Sequence, residues 1–218
     1  MTDVVRIGLV DGPLPADGAG LIDVANFSAL ARPESAGAHH AAAVAGTIRF
    51  HCQAARFANA VIFGDSLATS RDALVDAVTW LLSDPPDVLH CSFGLPTGDD
   101  DVAAVFADAV RLCPFVVATA PARGRLVYPA AFPGVIAVSG DARCGPDEWS
   151  WLNTGRVDFG AHVVAATDPR VRGASAAAAH ITGLMCARLV ASGAARDPRQ
   201  TLRDLQTTAQ WQGPERRL

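Results

Sequence analysis

The sequence predicts an α/β fold with three layers, in which helices cover both faces of a mostly parallel central sheet. Segments with strand character alternate along the chain with segments of helical periodicity. The strand segments are apolar at nearly every position, which is typical of parallel strands buried on both faces. The chain has 218 residues, 50% of them hydrophobic, which is enough for one domain with a large core. We expect a single domain over residues 1–218, with no propeptide.

The first part of the chain is predicted to form a strand, a helix and a second strand. Val4–Val10 is an apolar run that ends in the turn signal Asp11-Gly12-Pro13. His39–Phe50 is rich in alanine and has helical character, and the short apolar run Val61–Phe63 is the next strand candidate. In a parallel sheet the polar residue that ends a strand, here Asp11, is placed where functional groups gather.

A second helix is predicted to begin after Ser70, whose hydroxyl is suited to cap the free backbone N–H groups of a first turn. Its apolar residues recur at helical spacing until Pro85-Pro86 end the helix, at Leu74, Val78, Leu81 and Leu82. The apolar run Val88–Cys91 is the following strand, and it leads into the turn Ser92-Phe93-Gly94.

The second half of the chain continues the alternation of helices and strands. Val102–Leu112 has helical periodicity, while Phe115–Ala118 and Val135–Val138 are short apolar strands. Ala176–Val190 is predicted as a helix of small residues, and Pro198–Trp211 as the final helix. No internal repeat or low-complexity linker interrupts this order.

The composition of the chain argues against several kinds of partner and several cellular locations. The formal charge is −4 without a basic cluster, which disfavours nucleic-acid and anionic-membrane partners. The start of the chain lacks the basic and then apolar pattern of a signal peptide, and no run of about 18 apolar residues is present. The five cysteines are widely spaced without a CxxC pair, so we expect reduced thiols in a cytoplasmic protein that needs no cofactor.

Three segments carry residues suited to nucleophilic catalysis: Asp11 after the first strand, His40 on a predicted helix, and Ser175 near the start of another helix. A serine hydroxyl is a weak nucleophile that needs a base, and histidine has a pKa near neutrality. A buried carboxylate orients the imidazole and stabilises its charged form. Each residue alone fits a structural role equally well, so the argument depends on their combination.

The surrounding segments resemble motifs of the subtilisin-like serine protease family. His40-Ala41-Ala42-Ala43-Val44-Ala45-Gly46-Thr47-Ile48 is similar to the motif H-G-T-H-V-A-G-T, and Gly173–Gly183 is similar to G-T-S-M-A-S-P-H-V-A-G. Tyr128–Val138 resembles Y-P-A-x-x-P-G-V-I-A-V, and Trp151–Asp158 resembles S-F-S-N-Y-G…V-D. The resemblance spans nearly the whole chain and implies a subtilisin-like fold.

The resemblance also implies roles for individual residues. Asp11, His40 and Ser175 would form the catalytic triad, in the chain order that subtilisin has. Ser92-Phe93-Gly94-Leu95, similar to S-L-G-G in the family, would bind substrate. Two other histidines compete with His40 for the role of base. His39 would point about 100° away around the helix, and His180 matches a position where the family residue packs.

The chain departs from the family at the oxyanion site, which also involves the nucleophile Ser175. The family has G-N-E-G, whose Asn donates to the oxyanion, where this chain has Pro121-Ala122-Arg123-Gly124. Ala122 has no side-chain donor, so Thr119, Arg123 and Asn153 are candidates to replace it. Asp99-Asp100-Asp101 is interpreted as a turn or helix start and not as a cation site, so we expect no metal.

These features favour a serine endopeptidase of narrow specificity that cleaves a leader peptide from a modified precursor peptide or protein subunit. A narrower resemblance is to the leader-cleaving protease of quinohemoprotein amine dehydrogenase biogenesis. The alternative is a pseudoprotease, weak or inactive, that binds a peptide or serves as a scaffold; the missing oxyanion Asn favours it and the complete triad opposes it. A small-molecule acyl hydrolase on the same scaffold is the third hypothesis.

Overall fold

A computed structural model describes residues 4–18, 20–28, 32, 34–193 and 197–215. Within these residues the strands are β1 (Val5–Asp11), β2 (Leu21–Asn26), β3 (Ala55–Val61), β4 (Val88–Cys91), β5 (Phe115–Thr119), β6 (Ile136–Gly140), β7 (Trp149–Trp151), β8 (Phe159–Ala161) and β9 (Trp211–Gln212). The helices are α1 (Ala36–His51), α2 (Arg71–Leu82), α3 (Asp100–Leu112), α4 (Ala174–Ala191) and α5 (Pro198–Thr207).

The described strands form one sheet in the order β2-β3-β1-β4-β5-β6-β8-β7-β9. Neighbouring strands pair in parallel except β7 and β8, which are antiparallel. Parallel neighbours need crossover connections; α1 supplies the one from β2 to β3 and α3 the one from β4 to β5. The predicted α/β fold with a mostly parallel central sheet is therefore confirmed.

Two separate apolar clusters cover the two faces of the sheet. Side chains of β1 alternate between them: Val5, Ile7 and Leu9 pack with residues of α1, α4 and α5. Val10 instead packs with residues of α2 and α3 on the opposite face. Because successive strand residues point to opposite faces, a strand buried on both sides is apolar at most positions. This explains the continuous apolar runs and confirms the three layers.

Side-chain caps begin four of the helices. Ser70 Oγ accepts a hydrogen bond from the Ala73 backbone N–H, which confirms the predicted start of α2. Ser35 caps α1, Asp99 caps α3 and Asp197 caps α5 in the same way. Asp99-Asp100-Asp101 is thus the start of α3. This is one of the two structures, a turn or a helix start, that the sequence left open for this segment.

Several predicted boundaries were wrong. The strand predicted at Val61–Phe63 is Ala55–Val61, because Arg56, Asn59 and three alanines conceal a buried strand from a hydropathy pattern. The final helix ends at Thr207 and not at Trp211, since Trp211 leaves the helix to pair with Ser150 in the sheet. The short strands β2, β7, β8 and β9 were not predicted; β2 is a largely exposed edge strand.

Helix α4 is long and apolar enough, by length and composition, to cross a membrane. It is however the central helix of one face of the sheet, where Ala177, Ile181 and Met185 are fully buried. A core helix of a folded domain has this composition because it is apolar all round. Its apolarity is therefore explained by packing inside the protein.

Candidate active site

Polar side chains gather along the edge of the sheet where its parallel strands end. Asp11 is the last residue of β1, Ser92 follows β4, and Thr119 is the last residue of β5. These three strands belong to one block in the order β1-β4-β5, so their carboxyl ends lie side by side. The site predicted from the sequence falls at this edge.

Helices α1 and α4 pack against each other on one face of the sheet. A Cβ built on Gly183 of α4 would lie 2.7 Å from the Ile48 carbonyl oxygen of α1, closer than real side chains approach. Glycine at this position therefore allows the two helix backbones to meet. The contact positions the first turn of α4, which carries Ser175, relative to the helix that carries His40.

Asp11 and His40 form a buried hydrogen-bonded pair. His40 Nδ1 lies 2.8 Å from Asp11 Oδ1 and 3.0 Å from Oδ2. Asp11 is fully buried, and its Oδ1 also accepts a hydrogen bond from the Gly12 backbone N–H at 2.7 Å. Because an ionised carboxylate only accepts, Nδ1 carries the hydrogen, which leaves Nε2 of neutral His40 as a free base.

The surroundings of His40 favour its charged form. Burial by itself lowers the pKa of His40, but the charge of Asp11 and the hydrogen bond to it outweigh burial, so the pKa lies above the usual 6.5. A base of this kind takes a proton more readily than an isolated imidazole. Asp11 therefore both orients the ring and stabilises the imidazolium.

Ser175 is the second residue of α4 and follows Gly173, which has a left-handed φ of 85° that favours glycine. Ser175 Oγ donates a hydrogen bond to the Ser92 carbonyl oxygen at 3.2 Å. Within the described residues, no hydrogen bond joins Ser175 to His40. The structure thus brings together Asp11 with His40, and Ser175 with Ser92, as two neighbouring pairs.

Another histidine, His90, was not identified from the sequence. It lies fully buried in β4, with Nδ1 2.8 Å from Thr182 Oγ1 of α4 and Nε2 2.7 Å from Ser92 Oγ. Burial, and secondarily the charge of His40, lowers the pKa of His90 to about 3. The neutral ring connects the end of β4 to the helix that carries Ser175. A polar residue inside the apolar run Val88–Cys91 was the signal that could have revealed it.

The predicted substrate-binding segment, Ser92 to Leu95, runs along the same edge. Leu95 exchanges two backbone hydrogen bonds with Tyr128, at 2.7 and 2.9 Å, in an antiparallel bridge. A Cβ on Gly94 would lie 2.8 Å from Val127 Cγ2. Glycine is therefore needed at this position because Val127 occupies the space beside it.

The candidate oxyanion donors differ in how they are placed. Thr119 donates its hydroxyl hydrogen to the Phe93 carbonyl oxygen at 2.8 Å, so that hydrogen is already committed. Asn153 sits in an exposed turn with a φ of 45°, and Ala122 is exposed with no side-chain donor. Arg123 is exposed, and its guanidinium makes no hydrogen bond or ion pair within the described part of the chain.

The remaining groups that could form disulfides or bind a metal ion are the cysteines and the clusters of His, Cys, Asp and Glu side chains. All five cysteines are free and buried. Burial raises the pKa of the Cys113 and Cys144 thiols to about 12 in each case. In the described ranges, no group of three or more His, Cys, Asp or Glu side chains is placed to hold a metal ion.

No protein-family model and no curated protein sequence matches this chain. Its structure is similar to solved protease domains. A mutant of the protease domain of PatA superposes with a TM-score of 0.70 at 19% identity, over 92% of this chain and 86% of that one. The prenylagaramide maturation protease PagA gives a TM-score of 0.66 at 16% identity, over 92% and 81% of the two chains.

A lanthipeptide protease gives a TM-score of 0.69 at 14% identity, over 94% of this chain and 80% of that one. At this level of identity the similarity establishes the fold, which is the subtilisin-like α/β fold that the sequence motifs imply. The chain therefore has the architecture of a protease domain, with the buried Asp11–His40 pair at the carboxyl edge of its sheet.

Proposed function

We propose that this chain is a serine endopeptidase in which Asp11, His40 and Ser175 act as the catalytic triad. The observation that carries the proposal is the buried Asp11–His40 pair, with the two groups 2.8 Å apart and Nδ1 committed to the carboxylate. The subtilisin-like motifs around all three residues support the same assignment.

The proposed reaction begins when Ser175 Oγ attacks the carbonyl carbon of the scissile peptide bond while His40 Nε2 takes the hydroxyl proton. Asp11 stabilises the imidazolium that forms. The tetrahedral intermediate collapses as His40 gives the proton to the leaving amine. A water molecule then attacks the acyl-enzyme by the same route and restores Ser175.

Ser175 has to leave the Ser92 carbonyl for this reaction. Its hydroxyl is held there by one hydrogen bond of 3.2 Å, and a serine side chain has three staggered rotamers. Catalytic hydrogen bonds are often long in protein without substrate and tighten in the complex. We expect rotation about χ1 to bring Oγ to His40 Nε2 when substrate binds.

The oxyanion would be stabilised by backbone groups at the start of α4. The first N–H groups of a helix lack intrahelical partners and carry a partial positive charge. The N–H of Ser175 belongs to this set. Because Ala122 supplies no second donor, turnover of generic peptides should be slow, and a dedicated substrate would compensate through binding energy away from the scissile bond.

The substrate we propose is a modified precursor peptide or protein subunit from which a leader is removed. Two of the structural neighbours are named as a prenylagaramide maturation protease and a lanthipeptide protease, which supports this class of substrate. A cytoplasmic location fits five reduced, buried thiols. The narrower hypothesis of amine dehydrogenase maturation predicts that the neighbouring genes encode a modified-peptide precursor and a radical enzyme.

The competing function is a peptide-binding pseudoprotease, which the missing donor at Ala122 and the Ser175–Ser92 hydrogen bond favour. A fluorophosphonate probe separates the two functions because it reacts only with an activated serine. We expect labelling at Ser175 that is abolished by Ser175→Ala and kept by Ser192→Ala, an exposed serine at the other end of α4. Failure of the wild type to react would support the pseudoprotease.

A further inference from the structure

A cavity of about 490 Å³ opens at the carboxyl ends of β5 and β6, next to the candidate active site. Its volume lies in the range of pockets that bind small ligands or parts of a peptide. The loop after β5 forms one wall with Ala122 and Arg123, and the end of β6 forms another with Ser139 and Gly140. Arg156 and the segment Pro214–Glu215 also line the cavity. The remaining lining residues are Pro121, Asp141, Ala142, Leu152, Thr154 and Val157.

The cavity lies close to the nucleophile. A Cβ built on Gly140 would be 3.7 Å from the backbone carbon of Gly173, which is two residues before Ser175. On the opposite wall, Ala122 occupies the position that the family motif gives to its oxyanion donor. A peptide cleaved at Ser175 would therefore pass beside this opening.

The charge of the cavity that is not balanced by an ion pair is positive. Asp141 is paired with Arg143, whose Nη2 lies 2.7 Å and Nε 3.0 Å from its two carboxylate oxygens. Although burial raises the pKa of Asp141, the hydrogen bonds from Arg143 outweigh burial and lower it. Glu215 is exposed at the rim and near enough to Arg143 to raise its pKa.

Two arginines of the lining keep donors available. Arg156 uses one nitrogen to donate to the Gly124 carbonyl oxygen at 2.6 Å, which holds its guanidinium beside the loop after β5. Within the described part of the chain, its remaining guanidinium N–H groups and all those of Arg123 make no hydrogen bond. Arginine presents its donors in a planar fork that matches a carboxylate.

Ser139 supplies an independent sign of a ligand. The residue is 2% exposed and lines the cavity, yet its buried Oγ has no hydrogen-bond partner. An unmade hydrogen bond of a buried hydroxyl costs about 1–3 kcal/mol, so such groups are rare unless something else satisfies them. Because the Oγ atom is itself buried, an acceptor oxygen of a ligand in the cavity would satisfy it after rotation of the serine side chain about χ1.

We propose that this cavity binds a carboxylate of the substrate peptide, with Arg123 and Arg156 as its charged donors and Ser139 as a neutral one. The inference rests on the proposed function, because it assigns part of the specificity of that same site. The carboxylate comes from an Asp or Glu side chain near the cleaved bond or from the C-terminus of a short peptide. The experiment below separates these two sources.

The test measures binding by the full chain carrying Ser175→Ala, so that no peptide is cut. The immobilised protein is mixed with a randomised library of acetylated, amidated hexapeptides, and the bound peptides are identified by mass spectrometry. A second library has free C-terminal carboxyl groups. The cavity variant adds Arg123→Glu and Arg156→Glu, and the matched control adds Arg125→Glu and Arg199→Glu, two exposed arginines outside the cavity with the same change in charge.

We expect bound peptides from the first library to be enriched about fivefold in Asp or Glu, the size of one exposed charge-assisted pair. The cavity variant should lose this enrichment, and the control should keep it. Ser139→Ala should reduce it without a change in net charge, as general electrostatic attraction would not. If peptides of the second library are retained more than those of the first without enrichment in Asp or Glu, and the cavity variant loses this difference, the site binds a terminal carboxylate.

The carboxylate site is overturned if the first library shows no acidic enrichment and the second is retained no better than the first, or if the control loses as much as the cavity variant. Fluorophosphonate labelling of the wild type at Ser175 reports separately on the proposed function, because the probe is small and carries no carboxylate. Labelling with neither acidic enrichment nor better retention of the second library refutes only the carboxylate site. Absence of labelling removes the proposed function on which the site rests.

Discussion

A buried pair of histidines away from the candidate site makes the stability of the fold sensitive to acid. His51 is the last residue of α1, and its Nε2 lies 2.8 Å from His180 Nδ1 of α4. His180 Nε2 lies 2.9 Å from the Val164 carbonyl oxygen and must donate its hydrogen to it. Its Nδ1 therefore accepts from His51, whose side chain is only 5% exposed.

The pKa of His51 follows from this position. Burial, and then the nearby positive charge that His180 would carry, lowers it from 6.5 to about 4, with a smaller opposing effect of Asp147. In the unfolded chain His51 takes up a proton below about pH 6.5, whereas in the fold it does so only near pH 4. The unfolded state thus binds more protons in this window, and the free energy of unfolding falls as the pH falls.

The magnitude follows from the two pKa values. At about 1.4 kcal/mol for each pH unit, the difference between 6.5 and about 4 corresponds to roughly 3 kcal/mol of stability that is present above pH 6.5 and lost by pH 4. We predict that His51→Gln, which keeps an N–H donor for His180 but does not titrate, loses about 2–3 kcal/mol less between pH 7 and pH 4.5 than the wild type does.

The assay is urea unfolding followed by circular dichroism at several pH values, with the free energy extrapolated to water. His39→Gln is the matched control, because His39 lies on the same helix with an exposed side chain and should leave the wild-type pH dependence unchanged. If His51→Gln and the wild type lose the same stability on acidification, His51 is not neutral in the fold and the argument from its burial is wrong.

Three further predictions concern the oxyanion site, the helix contact and metal dependence. Ala122→Asn should raise single-turnover cleavage of unrelated peptides about tenfold or more, because a lost oxyanion donor costs about 2.7–4 kcal/mol in subtilisin; wild-type cleavage already at subtilisin speed would mean that another donor exists. Gly183→Ala should lower the free energy of unfolding by about 1–3 kcal/mol in urea titrations, since its Cβ would meet the Ile48 carbonyl oxygen at 2.7 Å, and an unchanged midpoint would contradict that contact. A chelator should leave the melting temperature in a calorimetric scan unchanged, and a drop of many degrees would reveal a structural cation.

Local sequence patterns determined the class of fold and most of its elements. Mostly apolar runs identified β1, β4, β5 and β6, because a strand buried on both faces has few polar positions. The Ser70 cap and the apolar spacing identified α2. Motif order alone singled out Asp11, His40 and Ser175, and their catalytic roles remain a prediction that labelling and mutation will test.

Only the tertiary structure decided which segments meet. The polar residues of β3 gave no strand signal, yet this strand lies beside β1 in the middle of the sheet's β2-β3-β1 block, where Asn59 bonds to the backbone of Leu9 and Gly12. Likewise, His90 finds Thr182 across 92 positions of sequence, and the unpartnered Ser139 is brought to the same cavity as Arg123 and Arg156. Periodicity records the burial of each element separately, whereas these contacts depend on how strands and helices pack together. The sequence by itself therefore determined the class of fold, its helices and the candidate triad, and the packing of α4 against the strand ends decided the geometry of the site.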